Sequence, residues 1–329
     1  MPADQQQRSR LLGIKLGALV RDHAGEAPAV LGVFGGGAAL VRDGEAWVLG
    51  DEQPARVLGQ AMAWARQQGC ERVHVLAERK TGLLARRAGY FDPAPLVFRV
   101  EGRSLVPADP EPLPVPAGMD PALGDLVDLI EAGGAEPVVE HGVLSGEVRG
   151  LEVCRAVRDP HLGVVRLEVG VGAHDREAFQ LVHGDVPPVD ALSDVVAKVA
   201  AVRRPGGEDH PLRRLGAERL LRWQLVQSPG LVGAASVYVA QPPIPRPNLK
   251  DPVPCVAAGE DTEGHPVLVV CSVGIDLDLV PFAADARAGD GREGVRLLVA
   301  VPERDAHPVT RALLARLRDP AELVAVPAG

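Results

Sequence analysis

Short apolar runs alternate along this chain with stretches in which apolar residues recur every three or four positions. That is the signature of strands interleaved with helices, and it predicts an α/β fold with mixed sheets. Val30 to Phe34, Ala38 to Arg42 and Ala46 to Leu49 read as a strand ribbon turned at Asp43-Gly44. Residues 54 to 68 place Val57, Ala61, Trp64 and Ala65 at helical spacing behind Pro54, and Gly69 closes the helix. A strand from Arg72 to Ala77, a helix over 81 to 89 and a strand from Leu96 to Val100 follow.

The middle of the chain opens on a helix over 120 to 132, with Asp120 as N-cap and Pro121 in the first turn. Glu147 to Val157 and Val164 to Val171 are strands, with His161-Leu162-Gly163 between them. A helix from Val189 to Val202 stops at Arg203, Arg204 and the breaker Pro205-Gly206-Gly207, and another covers 211 to 226. The last section runs turn (Thr262 to Gly264), strand (266 to 273), helix (277 to 288), strand (295 to 301), helix (308 to 318) and strand (322 to 326). Both ends thus repeat the order strand ribbon, helix, strand, helix, strand, although residue identities do not match closely enough to prove a duplication.

Prolines divide these sections. The segment 107–118 reads as an extended connector, and 241–254 as either a second linker or a strap across a surface. The expected organisation is an N-terminal α/β lobe (1–106), the Pro-rich linker (107–118), a middle lobe with a basic helix (119–240), the strap (241–254) and a C-terminal lobe (255–329). Only 3% of the residues are aromatic while 46% are hydrophobic, so the cores are built from Val, Leu and Ala.

The formal charge of −9 argues against general nucleic-acid binding, which draws its affinity from a basic surface. Cys70, Cys154, Cys255 and Cys271 form no C-x-x-C pair. Cys154 and Cys271 lie in apolar runs and read as core residues. The opening MPADQQQRSRLLGIKLGALV is interrupted by Lys15 and Arg21 and suits an amphipathic helix better than a secretion signal. No apolar run is long enough for a membrane span. A soluble cytoplasmic protein with reduced thiols is the resulting expectation, with no membrane partner.

Gly35-Gly36-Gly37 leads into another strand rather than a helix, so it lacks the helix N-terminus that a phosphate cradle requires. The acids of the middle section are richer. Glu147 and Glu152 fall on one strand, five residues apart, which places them on opposite faces unless Gly150 bulges the strand. Glu152 and Glu168, on neighbouring strands, are candidate ligands for Mg²⁺ or Mn²⁺, with Asp175 as a third catalytic acid and Glu177 nearby. The order strand, acid, strand, acid, helix loosely resembles the core of restriction-endonuclease-like nucleases. That resemblance implies a Lys two residues after the second acid, where this chain has Gly170, and no family motif is matched. The competing reading is a solvated hairpin whose glutamates pair with Arg149, Arg155 and Arg166.

His161, His174 and His183, with Asp175 and Asp185, match no zinc spacing and read as loop residues. Residues 203 to 222 carry Arg203, Arg204, Arg213, Arg214, Arg219 and Arg222 against Glu208, Asp209 and Glu218, a net of +3. Arg213, Arg214 and Arg222, on a helix with Trp223, are candidate phosphate contacts; a solvated, internally paired face is the alternative. Asp276 and Asp278 stand where a strand meets a helix, a place for a ligand or for a plain N-cap, with Asp285 and Arg287 on the helix beyond. Two functions follow. One is a non-catalytic binding or scaffold protein with a protein partner. The other is a metal-dependent phosphodiesterase or nuclease-like enzyme using Glu152, Glu168 and Asp175. The missing Lys, the acidic charge and the incomplete catalytic set favour the first.

Overall fold

A computed structural model describes residues 3–159, 163–183, 187–204, 210–246 and 248–327. His161, Asp185, the 205–207 breaker, Glu208 and Asp209 lie outside these residues, as does the side chain of His183. The chain is α/β, with three sheets divided between two compact units.

The first sheet is built from β1 (Ala29–Gly32), β2 (Gly37–Arg42), β3 (Glu45–Gly50), β4 (Val73–Ala77), β5 (Leu96–Glu101) and β6 (Ser104–Pro107), in that spatial order. β1, β2 and β3 are antiparallel, β3, β4 and β5 are parallel, and β6 returns antiparallel. The parallel steps are made by α2 (Val57–Gln67) and α3 (Thr81–Ala88), as βαβ connections require. α1 (Ala3–Ala24) lays Leu16, Leu19 and Val20 on Leu40, Trp47, Leu76, Phe98 and Leu105 of this sheet. Asp43 and Gly44 both have positive φ, the geometry of the tight hairpin turn expected there.

The second sheet, wholly antiparallel, has the order β10 (Val165–Val169), β9 (Leu151–Arg158), β8 (Val143–Val148), β7 (Glu136–Glu140). α4 (Asp125–Ala132) and α6 (Pro188–Val202) share a core with it around Ile130, Leu144, Val153, Cys154 and Leu192. Asp120 accepts the Ala122 N–H and so begins the short 3₁₀ turn ahead of α4. α5 (Gly172–His183) follows β10. The strand expected over 147 to 157 is in fact a hairpin. Arg149 and Gly150 adopt φ values of 49° and 75°, which turns β8 into β9. The hairpin was hidden because the turn is Arg-Gly rather than the favoured Asn-Gly or Asp-Gly. Gly is required at the second position because a Cβ on Gly150 would meet the Arg219 backbone at 2.3 Å.

The helix expected over 211 to 226 is likewise divided, into α7 (Pro211–Arg214) and α8 (Ala217–Gln227), by Gly216 at φ 56°. α8 packs on the third sheet through Leu221 and Leu225. That sheet has the order β11 (Ala234–Ala240), β12 (Cys255–Asp261), β13 (Pro266–Cys271), β14 (Arg296–Pro302), β15 (Ala321–Val326). β11, β12 and β13 are antiparallel, and β13 and β14 are parallel. α9 (Leu279–Asp290) and α10 (Pro308–Leu314) are the connecting helices.

The first and third sheets therefore share one plan, and the match reaches residue level. Ala-x-Ala-Arg occurs at Ala63 to Arg66 in α2 and at Ala284 to Arg287 in α9. Glu-Arg follows both β4 (Glu78-Arg79) and β14 (Glu303-Arg304). Leu-Leu-Ala-Arg then Asp-Pro-Ala-x-Leu-Val occurs at Leu83 to Val97 and again at Leu313 to Val324. These matches become visible once topology fixes the alignment, because three residues are missing between the two halves of the second copy.

One unit comprises residues 1–113, 275–288 and 307–323, and the other 114–274, 289–306 and 324–329. In the first unit, α2 lies against α10, and α3 is tied to α9 by Arg86 and Arg87. Arg86 donates to both oxygens of Asp285, at 2.9 and 3.2 Å. Arg87 bridges Asp285 (2.7 Å) and Asp278 (2.8 Å). The close approach is permitted by Gly59 of α2, whose Cβ would lie 1.7 Å from the Leu277 carbonyl oxygen. Among the described residues, no helix is long and apolar enough to cross a membrane.

Candidate functional site

Of the residues singled out by sequence, Glu147, Glu152 and Arg222 come together in the second unit, around the β8–β9 hairpin. Glu147 and Glu152 face each other as direct cross-strand partners, not from opposite faces of one strand. Like charges in that position repel, and both carboxylates are buried. The fold answers with arginines from elsewhere in the chain.

Glu147 is bound by Arg219 and Arg222 of α8, and both guanidiniums also reach Glu140 on β7. The result is a closed set of two carboxylates and two guanidiniums. Burial works to raise the Glu147 carboxyl, but Arg219, Arg222 and Arg246 outweigh it and hold the group below the ordinary carboxylate range. Burial also opposes the charge on Arg222, which Cys255, Glu147 and Glu140 restore and raise above its usual value.

Glu152, 2% exposed, carries three guanidiniums of its own. Arg155 donates in a bidentate fork at 2.9 Å to each oxygen. Arg176 of α5 donates at 2.8 Å, and Arg246 at 3.3 Å. Arg246 belongs to the Pro-rich segment 241–254, whose first residues also reach β7 and the turn after it. There, His141 donates its backbone N–H to the Gln241 side chain, and its ring reaches the Pro242 carbonyl. Glu168, the register partner of Arg155, pairs with Arg166 at 2.9 Å and lies 3.8 Å from Arg176. Asp175, His174 and Glu177 lie in the first half of α5, where their side chains are exposed.

The expected phosphate contacts are dispersed. Arg222 is 1% exposed and fully engaged inside the network. Arg213 donates to the Arg204 carbonyl at 2.7 Å, and Arg214 is exposed on α7. Arg203 is buried and donates to the carbonyls of Arg149, Leu212, Leu215 and Gly216, closing the turn ahead of α8. Burial pushes it down to about 10, so it keeps its charge at neutral pH. Arg149 projects over the Trp223 ring at 5.5 Å. Among the described residues, no three His, Cys, Asp or Glu side chains gather as a metal site.

Sequence reading missed Glu140, Arg176 and Arg246 as members of this site, and took Arg219 and Arg222 for surface. A signal was present for the last two. Both lie among Glu218, Leu221 and Leu225 on the buried face of α8, where a charge needs a partner.

In the first unit, Asp276 accepts the Asp278 N–H at 2.9 Å and pairs with Arg56 at 2.8 Å, so it shapes the entry to α9 as a cap does. Asp278 is pushed up to about 7 by burial and by Asp276, against the pull of Arg87 and Arg56. Tyr90 is pushed up to about 12, by burial first and then by Asp285. All four cysteines are free and buried, and burial raises the Cys154 thiol to about 12. Comparison with known protein families, with curated proteins and with solved structures gives no match for this chain.

Proposed function

We propose that this protein acts by binding, as a non-catalytic scaffold for a protein partner in a reducing, cytoplasmic setting. The observation that carries the reading is the state of Glu152. A carboxylate that is to hold Mg²⁺ must offer free oxygen lone pairs and a net negative surrounding. Glu152 instead accepts from Arg155, Arg176 and Arg246. With Glu168 and Asp159, the two partners of Arg166, counted, the group holds three acids against four arginines (Arg155, Arg166, Arg176, Arg246), so it carries no net negative charge to attract a divalent cation. Buried pairs of this kind tie the sheet to α5 and to the strap. The chain's charge of −9 also disfavours nucleic acid as the partner.

The experiment is a calorimetric titration with Mg²⁺ and Mn²⁺ beside a cleavage assay on single- and double-stranded DNA and RNA. Both are run on the parent chain and on Glu152→Ala/Glu168→Ala. Neither metal binding nor cleavage is expected from either protein. Metal-dependent cleavage by the parent that the double variant loses would replace this reading with the phosphodiesterase one.

A further inference from the structure

Independently of that reading, we infer that Cys255 and Cys271 are a redox pair, which hydrogen peroxide closes into a reversible disulfide between β12 and β13. The two are direct register partners in this antiparallel pair of strands. The other cysteines are placed differently. Cys154 stands opposite Gly146 and Val169, and Cys70 precedes β4 with its thiol turned to the Gln68 carbonyl.

The spacing fits a disulfide. Asp261 donates its N–H to the His265 carbonyl, which fixes the phase of the ladder. Counting back two residues at a time on each strand, Cys255 and Cys271 fall on a hydrogen-bonded pair. Pro266, which has no N–H, falls on a pair that needs none. Hydrogen-bonded partners have Cα atoms ~5.5 Å apart, inside the roughly 4.4–6.8 Å that a disulfide spans. Their Cβ atoms are about 4.5–5.5 Å apart, whereas a disulfide holds them near ~3.8 Å, so closing the bond strains it. Strained disulfides are the readily reduced ones, which makes this pair a switch and not a permanent staple.

Both side chains point to the face under α8, among Ala257, Val269, Leu221 and Leu225. There the thiols meet. The hydrogen bond to Cys255, together with burial, pushes the Cys271 thiol well above its ordinary range, so Cys271 keeps its proton. Cys255 donates toward the Glu218 carbonyl at 3.2 Å. Arg222 reaches the adjacent Val256 carbonyl at 3.4 Å and sets a cation beside the Cys255 sulfur. Cys255 is therefore the attacking sulfur and Cys271 the resolving one. The Cys255 thiolate attacks one peroxide oxygen, the O–O bond breaks, and hydroxide leaves to become water with the proton that Cys255 gave up. The Cys271 sulfur then attacks the sulfenic acid; the S–S bond forms, the S–O bond breaks, and a second water carries off the Cys271 proton. The two thiols lose two electrons and the peroxide gains them. Cys255 opens β12 and Cys271 closes β13, so the pair lies at the end of its ladder, where local opening admits a small oxidant.

The test treats the native full chain with hydrogen peroxide, unfolds it in an alkylating agent, and weighs its peptides. Two of the four alkylatable thiols should be lost. The peptides carrying Cys255 and Cys271 should be joined, and lighter by two hydrogens than their sum. Glutathione should restore both thiols without unfolding the protein. Cys70→Ala/Cys154→Ala should keep the bond, whereas Cys271→Ala should lose it and leave Cys255 as a sulfenic acid that dimedone traps. A parent that keeps four free thiols under peroxide overturns the proposal. So does a bond to Cys70 or Cys154, oxidation of single sulfurs with no S–S bond, or a Cys255–Cys271 bond that forms only after denaturation or resists glutathione.

Discussion

Removing the negative charge of Glu147 by Glu147→Gln should cost far more than an ordinary surface substitution. In the parent, Glu140 and Glu147 balance Arg219 and Arg222 charge for charge. Glu147→Gln leaves one buried guanidinium charge uncompensated while changing the side-chain volume very little. Breaking a buried pair in this way costs about 3–5 kcal/mol. With an m value near ~3 kcal/mol per M, the urea midpoint of the second unit should fall by ~1–1.7 M. Urea suits the assay because, unlike guanidinium, it does not screen charge. Hydrogen exchange in β8, β9 and α8 assigns the loss to this unit. Glu147→Leu/Arg222→Leu should then recover at least ~2 kcal/mol of the summed single costs, since Glu140 and Arg219 remain as a neutral pair. The sign of the pH effect is also fixed. Glu147 is held below its unfolded value, so its stabilisation is complete above about pH 4.3 and is lost as pH falls through the lower folded value. Acid should therefore destabilise the parent more steeply than Glu147→Gln. A Glu147→Gln cost under ~1 kcal/mol, or additivity of the double variant within ~0.5 kcal/mol, would refute the reasoning.

Gly59→Ala gains about 1 kcal/mol in helix propensity but forces a methyl into the Leu277 carbonyl, so the melting temperature of the first unit should fall. Gly150→Ala combines positive φ with a backbone clash against α8, and should lower the second unit's urea midpoint while leaving the first unit's unchanged. Asp278 takes up its proton at about 7 in the folded chain, well above its unfolded value. Its contribution to stability is therefore complete below about pH 4 and lost as pH rises to about 7, so the parent should lose stability relative to Asp278→Asn across that range. A polar thiol reagent should label none of the four buried cysteines in the folded protein and all of them after denaturation; rapid native labelling would contradict the burial.

The helices and most strands were legible because each carries its own periodicity. The βαβ steps through α2, α3, α9 and α10 could be placed, with ends off by as much as four residues, as where α10 stops at Leu314 and not at 318. What failed was local where the turn chemistry was unusual. Arg149 at positive φ is an uncommon choice, so two strands read as one and Glu147 and Glu152 were put on opposite faces. β7 was missed because Glu136 to Glu140 offers only a short apolar run around Pro137. The site failed for another reason. Its acids were found, but the arginines that satisfy them are remote: Arg219 lies 72 residues from Glu147, and Arg246 lies 94 from Glu152. No periodicity encodes such pairings. The repeated plan of the two ends was likewise legible as an order of elements, whereas the Leu-Leu-Ala-Arg and Asp-Pro-Ala matches needed the sheets to align them.

The first unit draws on three separate stretches of chain, and this sets a timetable for its assembly. A ribosome that has finished residue 113 has made the whole of the first sheet, with Arg86 and Arg87 in place on α3. Their carboxylate partner Asp285 lies 199 and 198 residues further on, respectively. At cellular synthesis rates that interval is ~10–40 s. Throughout it the nascent lobe can hold Arg86 on the Glu111 and Pro112 carbonyls and Arg87 on that of Ala55, but it lacks the buried Asp285 carboxylate that both share and the helices that cover the flank of α2 and α3. Termination anywhere before α9 would make that exposure permanent, and the natural fate of such a fragment is capture by chaperones or proteases rather than an independent half-protein.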